Sequence, residues 1–310
     1  MGVRQAFGDC GVHFAAFIRA RLGYYRAMMH DFSTRLFRRL GLATSGAREA
    51  PRDAMPAPAP TEPDTDFVLA HDGFCPVCEQ NTRFTSKFDW FRDHLLCGHC
   101  GTIPRERALM MMIDQFMPDW RTRTIHESSP GLRSADDTHG VSGKLRSQGE
   151  AYSWSHYFED VAPGESHPDT GERCENLEAL TFADGMFDLF VTQDVMEHVF
   201  DPARAFAEIA RVLKPGGRHI FTVPIVNKDK PSIIRATRAN DGSVNHLLEP
   251  AYHDNPVDPQ GSLVTRDWGF DLAPFIMETT GCPTLIIQID NLDRGIRAEF
   301  IEVLVMTKPG

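Results

Sequence analysis

Apolar residues at Phe14, Ile18, Leu22, Tyr25, Met29, Phe32, Leu36 and Leu40 step by three and four, which predicts one helical face within residues 1–42. Residues 43–66 carry no such period. Their Pro-, Ala- and charge-rich composition cannot bury enough surface to offset ordering, so they read as a disordered, semi-extended linker. Leu109, Met112, Ile113 and Phe116 restore a helical spacing that Pro118 ends. From Thr122 the pattern alternates. RTIHE, AYSWSHY and FDLFVTQD read as strands, 202–213 as a helix stopped by Pro215, Gly216 and Gly217, and RHIFTVP as the next strand. A long polar stretch covers 226–268. A helix near 270–280 and the strands PTLIIQI and EFIEVLVMT then close the chain. This alternation predicts a doubly wound α/β sheet, with the last two strands pairing antiparallel across a short link.

Composition narrows the function classes. The chain has 310 residues, 42% hydrophobic and 24% charged, enough for one or two domains with a proper core. Its net charge of -11 argues against general nucleic-acid binding, which needs a surplus of Lys and Arg. No apolar run reaches bilayer length and no signal-peptide pattern is evident, so a cytoplasmic location is expected. The first 42 residues are nonetheless basic. Arg4, Arg19, Arg21, Arg26, Arg35, Arg38 and Arg39 face only Asp9 and Asp31. That helix reads as a membrane-surface or partner-binding element, as a presequence-like segment, or as a plain docked or extended arm. Translation from Met28 or Met55 is a further reading.

Four of the seven cysteines change the picture most. Cys75, Cys78, Cys97 and Cys100 follow the spacing C-x2-C, eighteen residues, C-x2-C. Four thiolates at that spacing can close a tetrahedron around a structural zinc ion, and Gly98 and Gly101 allow the tight knuckle backbone. A zinc ribbon over 67–107 is therefore expected, with Phe84, Phe88, Trp90 and Phe91 as its small core. A redox dithiol would need a βαβ context that is absent here. His94 and His99 stand as alternative ligands or bystanders.

Residues 180–224 read LTFADGMFDLFVTQDVMEHVFDPARAFAEIARVLKPGGRHIFTVP. The order of FD before a strand, EHV before a helix and RVLKPGG before the next strand resembles class I S-adenosylmethionine-dependent methyltransferases, a resemblance that extends from about 122 to the C-terminus. It implies a Rossmann-like seven-stranded α/β sheet with an antiparallel last strand over 108–310; residues 226–268 are too long for a bare connector and read as a substrate-binding insertion. It also implies that the residues after the fourth strand, Gln193 and Asp194, meet the methionyl part of the cofactor. The loop holding Glu175, Asn176, Leu177 and Glu178 is implied to lie near the adenine, although a solvated face is an equal reading for the two glutamates. The first strand departs from the usual acid followed by a GxGxG loop. Glu127 matches the acid and Gly131 the second glycine, but Ser128, Ser129 and Pro130 intervene and Arg133 stands at the third glycine position. This HESSP-type loop is similar to that of a subset whose members look like sugar- or polysaccharide-tailoring enzymes.

The expected activity is methyl transfer from S-adenosylmethionine to a small-molecule or glycan acceptor, with a hydroxyl favoured. Such transfer asks the protein chiefly for alignment, with a base for a hydroxyl acceptor. His198 and His253 are the leading bases, with His246 and Asp254 also in reach of the argument, and Arg235, Arg238 and Trp268 are candidate acceptor contacts. Each has a plain alternative as a solvated or structural side chain. Two other functions stay open: a non-catalytic methyltransferase-like binding module, and an RNA or protein methyltransferase that uses the zinc ribbon for recognition.

Overall fold

The computed structural model describes residues 66–131, 138–253 and 260–310. The basic helix expected over 1–42, nearly all of the 43–66 linker, Arg133 and Asp254 lie outside the described residues.

The described residues open with three short antiparallel strands, β1 Leu69–Cys75, β2 Gln80–Ser86 and β3 Leu96–Cys97, in the order β1-β2-β3. Helix α1, Pro104–Phe116, follows; Pro104 presets its first turn, and Glu106 reaches back to accept from the Ile103 amide at 3.0 Å. Next come β4 Thr124–Ser128, α2 Gly140–Gln148, β5 Ala151–Ser155 and β6 Phe187–Gln193. Helix α3, Pro202–Val212, starts on Asp201, whose side chain accepts from the Arg204 amide, and leads directly into β7 Leu213–Thr222. The polar stretch is built from small antiparallel pairs. They comprise β8 Ile233–Ile234, β9 Ala236–Arg238, β10 Val244–His246, β11 Tyr252–His253, β12 Ser262–Leu263 and β13 Arg266–Asp267, paired β9 with β10, β11 with β12 and β8 with β13. Helix α4 Leu272–Thr280, β14 Thr284–Ile287 and β15 Val303–Thr307 complete the order.

The main sheet runs β14-β15-β7-β6-β4-β5. The four strands β5, β4, β6 and β7 are parallel, whereas β15 is antiparallel to both neighbours. The sheet has six strands among the described residues, against the seven expected. Beyond β5 the edge carries only a single parallel bridge, His156 to Cys174, among the described residues. The link from β14 to β15 is also longer than expected, since residues 288–302 include a 3-10 turn at Leu292–Arg294.

Alternation along the strands splits the apolar side chains between two cores. Leu189, Val191, Ile220, Val303 and Val305 face α1 and α2. Phe190, Phe221, Leu304 and Met306 face α3 and α4. The cysteine-bearing segment has no core of its own. Cys75, Phe84, Leu95 and Cys97 join the first of these cores, and residues 62–310 form one compact unit. Of the aromatic residues expected to fill a separate ribbon core, Phe84 is buried and Phe91 packs at the margin, but Phe88 and Trp90 are exposed. A Cβ on Gly295 would stand 2.5 Å from the Phe84 ring, and Gly295 has φ +66°, so only glycine lets the 288–302 link seat against β2.

Candidate functional site

The four sulfurs of Cys75, Cys78, Cys97 and Cys100 lie within 4.8 Å of one another. The Cys75–Cys100 and Cys78–Cys97 separations are 3.7 and 3.9 Å. A disulfide needs sulfurs about 2.05 Å apart. Thiolates held about 2.3 Å from one tetrahedral zinc ion stand about 3.8 Å apart, so this spacing fits the ion and not a cross-link. The amides of His99 and Cys100 both point at the Cys97 sulfur at 3.4 Å, as a metal knuckle requires. Among the described residues, neither His94 nor His99 joins the cluster. Two buried cations tie it to its surroundings. Arg107 donates to the Leu95 and Gly295 carbonyls at 2.7 Å, and Lys144 of α2 donates to the Pro76 carbonyl at 3.0 Å and to Glu79 at 2.7 Å.

The strand order reverses between β4 and β6. The chain passes from β4 to β5 on one side and then returns to pair β6 on the other. Ligands in open α/β sheets sit at such a switch point, beyond the carboxyl ends of the strands. Glu127 and Ser128 end β4 there and Gln193 ends β6, so these three of the sequence-predicted cofactor residues are brought together. Their chemistry is inward. The fully buried Glu127 carboxylate accepts from Ser142 at 2.7 Å, Tyr152 at 2.7 Å and Gln193 at 2.8 Å. Burial raises the Glu127 pKa, and these three donors oppose the rise. Ser129 follows with φ +56°, its amide bonded to the Ser155 carbonyl at 2.8 Å. Gly131 is exposed, with open space where a Cβ would project.

Asp194 also stands at φ +51°. It is gripped by Arg92, by Arg105 at 2.6 Å and by Thr222 at 2.8 Å. Burial would raise its pKa, but the two guanidinium groups hold it below the usual carboxylate range. Both arginines come from the cysteine-bearing segment and its following helix. No sequence signal pairs them with a residue some 90–100 positions downstream.

The loop after the edge bridge is knit internally. Asn176 accepts from the Glu178 amide at 2.9 Å, and Leu177 is buried. Glu175 is buried and accepts from Arg173 at 2.7 Å and the Thr181 amide at 2.9 Å. Glu178 accepts from the Phe200 and Asp201 amides at 3.0 and 2.9 Å, which anchors the start of α3. Neither glutamate is a solvated face.

His198 and His253, 55 positions apart, meet with ring centroids 5.1 Å apart and planes at 90°. Between them lies a residue the sequence reasoning passed over, Glu197. Its side chain is 3% exposed, and its carboxylate stands 3.6 Å from His253 Nδ1 and 3.8 Å from His198 Nε2. The Glu197 carboxylate raises the His253 pKa against the opposing effect of burial. The signal was available, since Glu197 is the first letter of the EHV station. The other expected contacts are engaged elsewhere. Arg235 pairs with Asp267 at 2.8 Å, Arg238 lies 4.4 Å over the Phe200 ring, and Trp268 is buried, donating to the Met196 carbonyl at 3.2 Å. His246 lies exposed on β10.

Residues 155–221 match the family model described as Methyltransferase domain. The matched span runs from the end of β5 through β6 and α3 into β7. Among curated relatives, an uncharacterized 37.1 kDa protein in transposon TN4556 of Streptomyces fradiae is 40% identical over 108 residues, 34% of this chain and 30% of that one. The sarcosine/dimethylglycine N-methyltransferase of Halorhodospira halochloris is 32% identical over 135 residues, 41% of this chain and 45% of that one. The chain thus spans less than half the length of either. The crystal structure of an S-adenosylmethionine dependent methyltransferase from Mesorhizobium loti aligns with a TM-score of 0.41 at 16% identity, covering 65% of this chain and 97% of that one. Among the described residues no helix is long and apolar enough to cross a membrane.

Proposed function

We propose that residues 108–310 form an S-adenosylmethionine-dependent methyltransferase that alkylates a hydroxyl of a small molecule or glycan. A zinc ion held by Cys75, Cys78, Cys97 and Cys100 serves as structural support. The observation that carries this reading is that the methyltransferase-family match covers β6, α3 and β7, and β6 is one of the two strands at the switch point. In it, Glu127, Ser128, Ser129 and Gly131 hold one end of the cofactor, Asn176 and Leu177 the base, and Gln193 and Asp194 the methionyl end. The cofactor supplies an electrophilic methyl group, and the chain supplies alignment for in-line attack. His253, half exposed beside Glu197, is the group best disposed to take the acceptor's proton, with His198 behind it.

The Glu127 carboxylate does not present itself freely, because Ser142, Tyr152 and Gln193 already occupy it. Binding therefore requires the Gln193–Glu127 hydrogen bond to exchange for bonds to the cofactor. That same bond supports a second reading, a methyltransferase-like module that binds a partner without catalysis. Calorimetric titration of S-adenosylmethionine into the zinc-loaded chain decides between them. Saturable binding, followed by release of S-adenosylhomocysteine with an acceptor, is the expected result; absence of binding leaves only the second reading.

A further inference from the structure

The Glu197 carboxylate is enclosed by protein, yet neither of its oxygens has a hydrogen-bond partner. Burying an unpaired carboxylate costs several kcal/mol, so such a group persists only where something supplies positive charge. The nearby Arg92 guanidinium acts on Glu197 only through space, its hydrogen bonds going to the Phe300 carbonyl, Asp93 and Asp194. What faces Glu197 instead is a pair of imidazoles. The His198 ring nitrogen Nδ1 lies 2.9 Å from the Leu263 carbonyl. A carbonyl only accepts, so Nδ1 carries the hydrogen and Nε2 is left with its lone pair facing Glu197. Metal-bound histidines are commonly held this way, the far nitrogen donating to a backbone carbonyl. His253 presents Nδ1 to the same carboxylate oxygen from the opposite strand. The approaches of 3.6 and 3.8 Å are too long for hydrogen bonds but suit two ligands of one ion.

The backbone fixes this arrangement. The Glu197 carbonyl accepts from the Thr265 amide at 2.8 Å and its hydroxyl at 3.0 Å. Leu263 pairs with Tyr252, and Ser262 with His253. All three ligand atoms lie within 4.8 Å of one another. We propose that Glu197, His198 and His253 form a second metal site, distinct from the four cysteines, that takes a divalent transition ion such as zinc. Two imidazoles and one carboxylate suit zinc and its first-row neighbours better than magnesium or calcium, which favour all-oxygen shells. Three protein ligands leave a coordination position open, and the half-exposed His253 side chain sets it toward solvent. If the chain methylates a hydroxyl, as proposed above, the acceptor oxygen would bind at that position and release its proton to solvent more readily, the ion then taking over from His253 the role of activating the acceptor. Binding of the ion itself does not depend on that reading.

The test uses the full chain with its four cysteines already zinc-loaded, titrated with cobalt(II) alone and no S-adenosylmethionine. The expected result is one further equivalent of cobalt, lacking a thiolate-to-metal charge-transfer band. That equivalent is lost in both Glu197→Gln and His253→Ala and retained in the exposed control His246→Ala. His253 is a surface residue, so its variant reports even if the buried substitution impairs folding. The proposal is overturned if no cobalt binds beyond the cysteine site, if all bound cobalt carries the thiolate band, or if the extra equivalent survives His253→Ala. Cobalt bound without S-adenosylmethionine affinity would defeat the methyltransferase reading and leave this site standing; the converse would defeat the site alone.

Discussion

Asp194 illustrates how far single residues can be read. Its place after β6 was legible from the strand pattern, but its partners were not, because Arg92 and Arg105 reach it from a segment whose own motif concerns sulfur. The three side chains are largely buried, with exposures of 14%, 19% and 14% for Arg92, Arg105 and Asp194. Removing both arginines leaves a buried carboxylate without a counter-charge. Arg92→Ala with Arg105→Ala should therefore cost about 3–5 kcal/mol in urea unfolding, and each single change less. Cys97→Ser, at a buried sulfur that also receives two backbone amides, should abolish stoichiometric zinc in elemental analysis and lower the melting temperature. The cysteines were legible from spacing alone. Glu197 was equally visible in the sequence, but nothing there indicated that both its oxygens would be buried.

Elements were read best where the pattern was longest. FDLFVTQD became β6, RTIHE became β4, and the last two strands pair antiparallel as the chain order suggested. The edge beyond β5 falls short of a seventh strand, because Cys174 makes one bridge to His156 there and the residues just before it pair back on themselves through Ser166 and Arg173. The 288–302 link was under-read, since its length is used to pack the Leu292–Arg294 turn on β1 and β2. Gly295→Ala tests that junction. A methyl group at φ +66° against Phe84 and the Arg107 Nε should cost about 1–3 kcal/mol in denaturant melts. A junction that is open in solution would leave stability unchanged.

At the scale of the molecule, the cysteine segment and the sheet share one core, so they should unfold together. Chelation of zinc is expected to lower a single melting transition instead of melting a separate ribbon. Acid should also destabilise the whole fold. His126 and His219 are buried, and desolvation depresses both pKa values to about 3. The unfolded chain takes up these protons near pH 6.5, the folded chain only near 3, so stability falls as pH drops through that window. Two such groups give a slope of about 2–3 kcal/mol per pH unit, partly offset above pH 4.5, the ordinary value from which Glu127 is raised, and measurable as the urea midpoint against pH. The central claim is that S-adenosylmethionine occupies the ends of β4 and β6. Hydrogen exchange with and without S-adenosylhomocysteine measures it most directly. The account predicts slowed exchange at residues 127–131, 175–177 and 193–195 together; unchanged exchange at all three segments under saturating ligand would contradict it.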